Sequence, residues 1–210
     1  MTHAIDEIFT KEQQEALTPD AVIAALQAGN GRYVAGDRTA WDHRAQIPKA
    51  AGGQHPMAIV LSCVDSRVLV EEVFDCGIGD LFVARVAGNF VNTDMLGSME
   101  FACAVSGSKV VVVLGHQSCG AVKSTIDGAD LGNITPMLKN IAPAVSAVDG
   151  FDDRTTNNPD FVHAVVEKNV QLTLARIRAE SPALAELEAE NKIKIVGAVY
   201  SLDDGSVTFL

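Results

Sequence analysis

The segment Ala58-Ile-Val-Leu-Ser-Cys-Val-Asp-Ser-Arg67 decides the fold of this 210-residue chain. It opens with four apolar residues and follows a Gly-Gly-Gln-His-Pro break at 52–56. A short run of this kind predicts a strand that is buried within a parallel sheet. In an open parallel sheet, functional side chains gather just beyond the carboxyl ends of the strands. At that end, this segment carries Cys63, Asp65 and Arg67.

A second segment repeats the arrangement. The run Lys109-Val-Val-Val-Val-Leu-Gly115 predicts another buried strand, and it leads directly into His116-Gln-Ser-Cys119-Gly120. Because parallel neighbours end at the same edge of a sheet, we expect Cys63 to lie beside His116 and Cys119. Thiolates and an imidazole are ligands that zinc takes in proteins. The two segments therefore predict a zinc site made by these three residues.

The role of Asp65 leaves two alternatives open. If Asp65 is the fourth ligand, the predicted zinc site is closed. If Asp65 pairs with Arg67, whose planar guanidinium matches a carboxylate, the fourth position remains free for water. Residues i and i+2 of an extended segment can lie on the same side, which favours the pair. The paired Asp65 could then accept a hydrogen bond from a zinc-bound hydroxide.

The order of the predicted elements is strand, helix, strand, helix, strand. This order predicts an α/β fold with a central, mostly parallel β-sheet flanked by helices. We expect a single domain over residues 1–210, with an N-terminal helical arm at 1–35 and an α/β core at 58–210.

The arm itself predicts two helices. Residues 4–16 are polar and helix-prone, and Thr18-Pro19 then provides an N-cap followed by proline at the first helical position. We expect the second helix to end near Gly29 or Gly31. Since a long loop separates this helix from the sheet, we expect the arm to pack on a partner subunit.

Composition excludes several classes of function. A formal net charge of −11 disfavours nucleic acid or an anionic membrane as partner. No apolar run approaches the roughly 18 residues of a membrane span, and the first residues carry no signal-peptide pattern, which predicts a cytoplasmic protein. Four cysteines in such a chain favour metal binding or catalysis over disulfides. We expect Cys76 and Cys103 to be buried free thiols.

The Cys-x-Asp-x-Arg motif at 63–67 and the His-x-x-Cys-Gly motif at 116–120 together resemble the β-class carbonic anhydrases. The resemblance covers nearly the whole chain and implies a carbonate dehydratase, a zinc lyase that interconverts carbon dioxide and bicarbonate. It implies one Zn²⁺ per chain on Cys63, His116 and Cys119, whose hydroxide attacks carbon dioxide. It also implies that an Asp65–Arg67 dyad orients the zinc-bound water.

The same resemblance implies residues that bind substrate. Gln54 stands at the position of a cleft glutamine, and the N–H of Gly120 would bind bicarbonate. Phe82, Ala87 and Phe101 would line the cleft, although plant-type members have Val in place of Ala87 and Tyr in place of Phe101. Because the family typically forms dimers with clefts at the subunit interface, the resemblance implies a homodimer or a dimer of dimers.

One further position bears on regulation. A pH-switched subgroup of the family has Trp where this chain has Val60. The resemblance therefore implies that the site is open and water-bound at neutral pH.

Three other functions compete with this interpretation. Relatives on the same scaffold hydrolyse carbonyl sulfide or carbon disulfide, which are also small linear molecules attacked at carbon. A closed four-ligand site would instead indicate a zinc-stapled structural protein, and the pairing of Asp65 with Arg67 argues against it. Thiol redox catalysis is disfavoured because the chain has no Cys-x-x-Cys motif.

Overall fold

A computed structural model describes residues 4–210, so the first three residues of the predicted arm and domain lie outside the described residues. One five-stranded sheet with the order β2-β1-β3-β4-β5 forms the centre. Its strands are β1 Ala58–Ser62, β2 Leu81–Arg85, β3 Val110–His116, β4 Lys194–Tyr200 and β5 Val207–Phe209. Strands β2, β1, β3 and β4 are parallel, and β5 pairs antiparallel with β4. The predicted mostly parallel sheet is confirmed.

Helices surround this sheet. They are α1 Lys11–Ala16, α2 Pro19–Ala35, α3 His43–Ala50, α4 Val70–Val73, α5 Thr93–Glu100, α6 Gly120–Ile126, α7 Ile134–Leu138, α8 Ala142–Ala147, α9 Pro159–Glu180 and α10 Pro182–Ala189. A π-helical turn, Phe101–Val105, continues α5.

Both faces of the sheet are covered, which explains why its central strands read as continuous apolar runs. Every residue of β1 and β3 is buried. Alternate side chains of these strands enter two separate cores. One core lies under α9 and α10 and includes Leu61 and Val113, and the other lies under α2 and α4 and includes Val60 and Val112.

Helix α2 does not end where the sequence predicts. It continues past Gly29 and Gly31 to Ala35, and Gly36 ends it in the left-handed conformation with φ +70°. A Cβ atom added at Gly29 would lie 2.0 Å from the carbonyl oxygen of Phe74. Gly29 therefore allows α2 to approach the end of α4 closely, and this packing outweighs the helix-breaking tendency of glycine.

The N-terminal arm packs on its own chain. Val22 and Leu26 of α2 are fully buried against the sheet. The first predicted helix is shorter than expected: only Lys11–Ala16 is helical, and the Nε2 of buried Gln14 donates to the carbonyl oxygens of Pro56 and Ser106. The apolar face of α2 thus packs against the sheet of the same chain. Contact of the arm with a partner subunit remains a prediction, as does the division of the chain into arm and core.

Two other regions differ from the sequence prediction. The long loop expected between the arm and the sheet contains helix α3, and the region before α9 holds two short helices, α7 and α8. Pro143 opens the first turn of α8, where proline is tolerated because its missing N–H has no helical partner. Within residues 4–210, no helix is long and apolar enough to cross a membrane.

Candidate metal centre

Two neighbouring parallel strands bring the predicted ligands together. Strands β1 and β3 pair with Ser62 opposite Leu114, so both end at the same edge of the sheet. Cys63 directly follows β1, His116 is the last residue of β3, and Cys119 is the N-cap of α6. Their exposed fractions are 4%, 0% and 1%, so the surrounding residues bury all three side chains, which are called the cluster below.

The spacing of the ligand atoms suits a single ion. The two sulfurs and a ring nitrogen of Cys63, His116 and Cys119 all lie within 4.8 Å of one another. The sulfurs are 3.9 Å apart, which is far too long for a disulfide. Two sulfurs bound to one tetrahedral zinc at its usual bond length would be about 3.8 Å apart. The pair therefore has the separation that a shared zinc requires.

The hydrogen bonding of His116 leaves one ring nitrogen free to bind a metal. Its Nδ1 lies 2.8 Å from the carbonyl oxygen of Gln117, and a carbonyl only accepts, so Nδ1 carries the proton. In the neutral ring Nε2 is then the acceptor nitrogen, and it is buried with no hydrogen-bond partner among the described residues. A buried polar atom without a partner costs stability, typically about 1–3 kcal/mol. Together with the two sulfurs, this donor set fits zinc.

The two thiols depend strongly on each other. A hydrogen bond from Cys119 is the largest of the effects that lower the pKa of Cys63 below its usual range. The same contact, together with burial, raises the pKa of Cys119. The pair therefore holds one negative charge readily without a metal, and a cation between the sulfurs would be needed to hold two.

Asp65 is paired with Arg67. The Nε of Arg67 donates to Oδ1 at 2.9 Å and its Nη2 donates to Oδ2 at 2.7 Å, while the backbone N–H of Arg67 also donates to Oδ1. These bonds hold the pKa of Asp65 well below its usual range. The carboxylate nevertheless lies beside the cluster, because its Oδ2 is 3.8 Å from Nε2 of His116. The structure thus shows Asp65 paired with Arg67, and the open, water-bound state of the metal site remains a prediction.

Two residues that the sequence did not single out, Arg85 and Gly88, donate hydrogen bonds to Cys63. Arg85 donates through Nη1 to the carbonyl oxygen of Cys63 at 2.9 Å and through Nη2 to that of Val68 at 2.6 Å, which ties down both ends of the loop that carries the dyad. The backbone N–H of Gly88 donates to Sγ of Cys63 at 3.3 Å. The Ala-Gly-Asn sequence at 87–89 is a turn signal, but nothing in it indicates what the turn contacts.

The predicted cleft residues fall into two groups. Gly120 follows Cys119, and Ala87 precedes Gly88, so both lie at the cluster. Gln54 is exposed and precedes the amino end of β1, the opposite edge of the sheet from Cys63.

The two predicted cleft aromatics are also apart from this chain's cluster. Phe82 and Phe101 contact each other edge to face, with ring centroids 6.1 Å apart. They line a groove along the outer strand β2, together with Ile59 and Met95. Phe101 is 53% exposed there.

Known proteins resemble this chain over most of its length. A family profile described as carbonic anhydrase matches residues 58–207. Carbonic anhydrase 2 of Mycobacterium tuberculosis is 39% identical over 196 residues, covering 89% of this chain and 90% of that protein. A carbonic anhydrase of Mycolicibacterium smegmatis is 35% identical over 206 residues, covering 90% of this chain and 92% of that protein.

Solved structures share the fold. A structure from a study of two tetrameric β-carbonic anhydrases of Sordaria macrospora superposes with a TM-score of 0.70 at 22% identity, covering 91% of this chain and 95% of that one. The β-carbonic anhydrase CafA of Aspergillus fumigatus gives a TM-score of 0.70 at 24% identity, with 90% of each chain covered.

Proposed function

This chain belongs to the β-class carbonic anhydrase family, and we propose that it hydrates carbon dioxide reversibly to bicarbonate and a proton at a zinc ion held by Cys63, His116 and Cys119. The observation that carries the proposal is the free Nε2 of His116. This nitrogen is buried without a hydrogen-bond partner among the described residues, and the ligand atoms of Cys63, His116 and Cys119 lie within 4.8 Å of one another.

Zinc in this position would supply the Lewis acidity that makes a water molecule nucleophilic near neutral pH. The two thiolates together cancel the double charge of the ion, so this ligand set acidifies water less than three neutral histidines would. The protein must therefore favour the deprotonated nucleophile by other means. A group that accepts a hydrogen bond from the nucleophile would favour its deprotonated form. A group that donates a hydrogen bond to a thiolate would do the same, because it draws negative charge away from the metal.

Asp65 has the position for the first of these tasks. Arg67 keeps its carboxylate ionised and fixed next to the metal ligands, so Asp65 accepts a hydrogen bond from the attacking oxygen. That bond occupies the remaining proton of the nucleophile and leaves a lone pair directed at the carbon of carbon dioxide. Asp65 thus orients the nucleophile and does not serve as a ligand.

Gly120 has the position to hold the product. It opens α6, and the first N–H groups of a helix have no carbonyl partner within the helix. Such groups bind anions readily, since the positive end of the helix dipole adds to their hydrogen bonds. The N–H of Gly120 therefore donates to an oxygen of bicarbonate.

The remaining cleft residues support an oligomer. Gln54 lies four residues before β1, and the five-residue strand alone separates it from Cys63 by about 16 Å. Phe82 on the edge strand β2 and Phe101 on the π-helical turn line a groove at this side of the sheet. These three residues would reach a cleft only if it belonged to a second copy of the chain. A homodimer, alone or paired into a dimer of dimers, satisfies this condition.

Zinc removal and reconstitution test the proposal. Carbon dioxide hydration is measured by stopped flow with a pH indicator on zinc-loaded protein, on protein stripped with a chelator, and on stripped protein given one equivalent of zinc. We expect turnover that is lost on stripping and restored by zinc. Zinc-loaded protein that holds one zinc per chain and shows no hydration between pH 6.5 and 9 would refute the proposed function.

A further inference from the structure

The turn that follows β2 delivers a hydrogen-bond donor to the cluster. The N–H of Asn89 donates to the carbonyl oxygen of Val86 at 3.0 Å, which closes a four-residue turn. Gly88 is the third residue of this turn and has φ +83°, as a type II turn requires. Its own N–H takes no part in closing the turn and donates instead to Sγ of Cys63.

Only glycine fits at this position. A Cβ atom on Gly88 would lie 2.3 Å from Cδ1 of Ile141 and 3.3 Å from Cβ of Ala121, in addition to the strain of a positive φ. The turn is therefore pressed against α6 and α8, and a small change in its position would alter the distance to Cys63.

Asn169 makes a hydrogen bond to this turn at the carbonyl oxygen of Gly88. It lies in the middle of α9, is 2% exposed, and its Nδ2 donates to the carbonyl oxygen of Gly88 at 2.8 Å. Most of its neighbours on the buried face of the helix are apolar, among them Val165, Val166 and Val170. A polar side chain in such a face costs stability unless it is hydrogen-bonded, and a leucine would pack there with less difficulty. The amide is accordingly tied to Gly88.

We infer that Asn169 is a positioning residue for the metal centre: it fixes Gly88 so that its N–H donates to the Cys63 sulfur, and thereby limits how much charge this sulfur gives to the metal. The inference rests on the proposed zinc site. A hydrogen bond to a thiolate draws electron density away from the sulfur, so the metal keeps more of its positive charge. In a site where two thiolates neutralise the ion, this donor is one of the groups that restore its acidity.

The test uses cobalt in place of zinc, because the sulfur-to-cobalt charge-transfer absorption reports directly on the charge of the sulfur. The spectrum of the Co²⁺-loaded protein is compared with that of Asn169→Leu, which has similar size and lacks the donor. We expect the absorption to move to longer wavelength in the variant. Thr173→Val is the matched control, since Thr173 lies one turn later on the same buried face of α9 and makes no hydrogen bond to the described residues of the turn. We expect its spectrum to be that of the unaltered protein.

A second variant and a second measurement guard against simple misfolding. Asn169→Ala removes the donor without adding a charge, so it should shift the absorption in the same direction. In metal-free protein, hydrogen exchange at the Gly88 amide should be faster in both Asn169 variants than in Thr173→Val.

The outcomes separate the inference from the proposed function. Unchanged spectra in folded Asn169 variants, or an equal shift in Thr173→Val, would overturn the role of Asn169 and leave the metal site standing. Failure of the unaltered protein to bind one Co²⁺ per chain would overturn the proposed zinc site, and with it the inference.

Discussion

Arg67 and Asp65 form a two-point ion pair, with Nε to Oδ1 at 2.9 Å and Nη2 to Oδ2 at 2.7 Å. The pair lies at the mouth of the cluster, where Arg67 is about half exposed and Asp65 is largely covered. Because both oxygens of Asp65 face the guanidinium, the carboxylate is fixed in orientation. Oδ1 accepts from both Nε and the backbone N–H of Arg67, whereas Oδ2 accepts only from Nη2 and keeps a further lone pair for a second donor. This relationship leaves Asp65 available as an acceptor beside His116, whose Nε2 is 3.8 Å from Oδ2.

Asp65→Asn should remove this function and leave the metal site in place. The amide of an asparagine cannot accept as an anion, so we expect kcat/KM for carbon dioxide hydration to fall by about 100-fold. Stopped-flow rates and zinc content per chain are the measurements. Asp204→Asn, which alters an exposed carboxylate bonded to Ser206, is the control and should keep its activity. Full activity in Asp65→Asn would exclude the orienting role.

Arg67→Met should change the acid side of the pH–rate profile. In the unaltered protein, the hydrogen bonds from Arg67 lower the pKa of Asp65, so this carboxylate stays ionised as the pH falls. Without the guanidinium the pKa of Asp65 rises, and the ionised form is lost at a higher pH. We therefore expect activity of the variant to decline at a higher pH than that of the unaltered protein, in rates measured from pH 5 to 9. Superimposable acid limbs would show that Arg67 does not control the ionisation of Asp65.

A second carboxylate, that of Asp75, should make the free energy of unfolding depend on pH. Asp75 has a buried side chain that accepts hydrogen bonds from Arg32, from Trp41 and from the backbone and hydroxyl of Thr39. Although burial raises its pKa, these bonds outweigh that effect and the pKa is lowered. Its stabilising contribution is thus present above the unfolded-state pKa of about 3.9 and is lost as the pH falls through the lower folded-state value.

We therefore expect Asp75→Asn to lower the free energy of unfolding by about 2 kcal/mol at pH 7. The difference from the unaltered protein should narrow below about pH 4. Urea unfolding at a series of pH values measures it, and Asp37→Asn, an exposed neighbour, is the control. A difference that stays constant between pH 7 and 3 would mean that the charge of Asp75 contributes nothing.

Two glycines of α2 should respond in opposite ways to alanine. At Gly29 the new methyl group would meet the carbonyl of Phe74 at 2.0 Å, whereas at Gly31 nothing in residues 4–210 lies within 4 Å. We expect Gly29→Ala to destabilise the protein by about 2 kcal/mol through overpacking. Gly31→Ala should stabilise it by up to about 1 kcal/mol, because alanine has the higher helix propensity. Urea unfolding measures both, and changes of the same sign would refute the packing explanation for Gly29.

The strands and the grouping of Cys63, His116 and Cys119 could be predicted from the sequence because both follow from local rules. The apolar runs at 58–61 and 110–114 mark buried strands, and the rule for parallel sheets places Cys63 and His116 at one edge. The two alternatives for Asp65 could not be separated in the same way, since its pairing with Arg67 depends on the distance between the two side chains in three dimensions.

Other features depend on contacts that are distant in sequence. The role of Gly29 depends on the carbonyl of Phe74, and the hydrogen bond of Asn169 spans 81 residues. In the sequence, Gly29 resembles a helix end and Asn169 resembles an exposed polar residue. The position of Gln54 at the opposite edge of the sheet likewise emerges only once the direction of β1 is known.

The coordination of the metal at neutral pH is the most direct test of the proposed site. It can be measured in a crystal structure of the zinc-loaded protein at pH 7.5, with anomalous scattering at the zinc edge to locate the ion. We expect one zinc bound to Sγ of Cys63, Sγ of Cys119 and Nε2 of His116, with Asp65 still paired to Arg67. Zinc coordinated by Asp65, or located away from these three ligands, would show that the proposed open site is wrong.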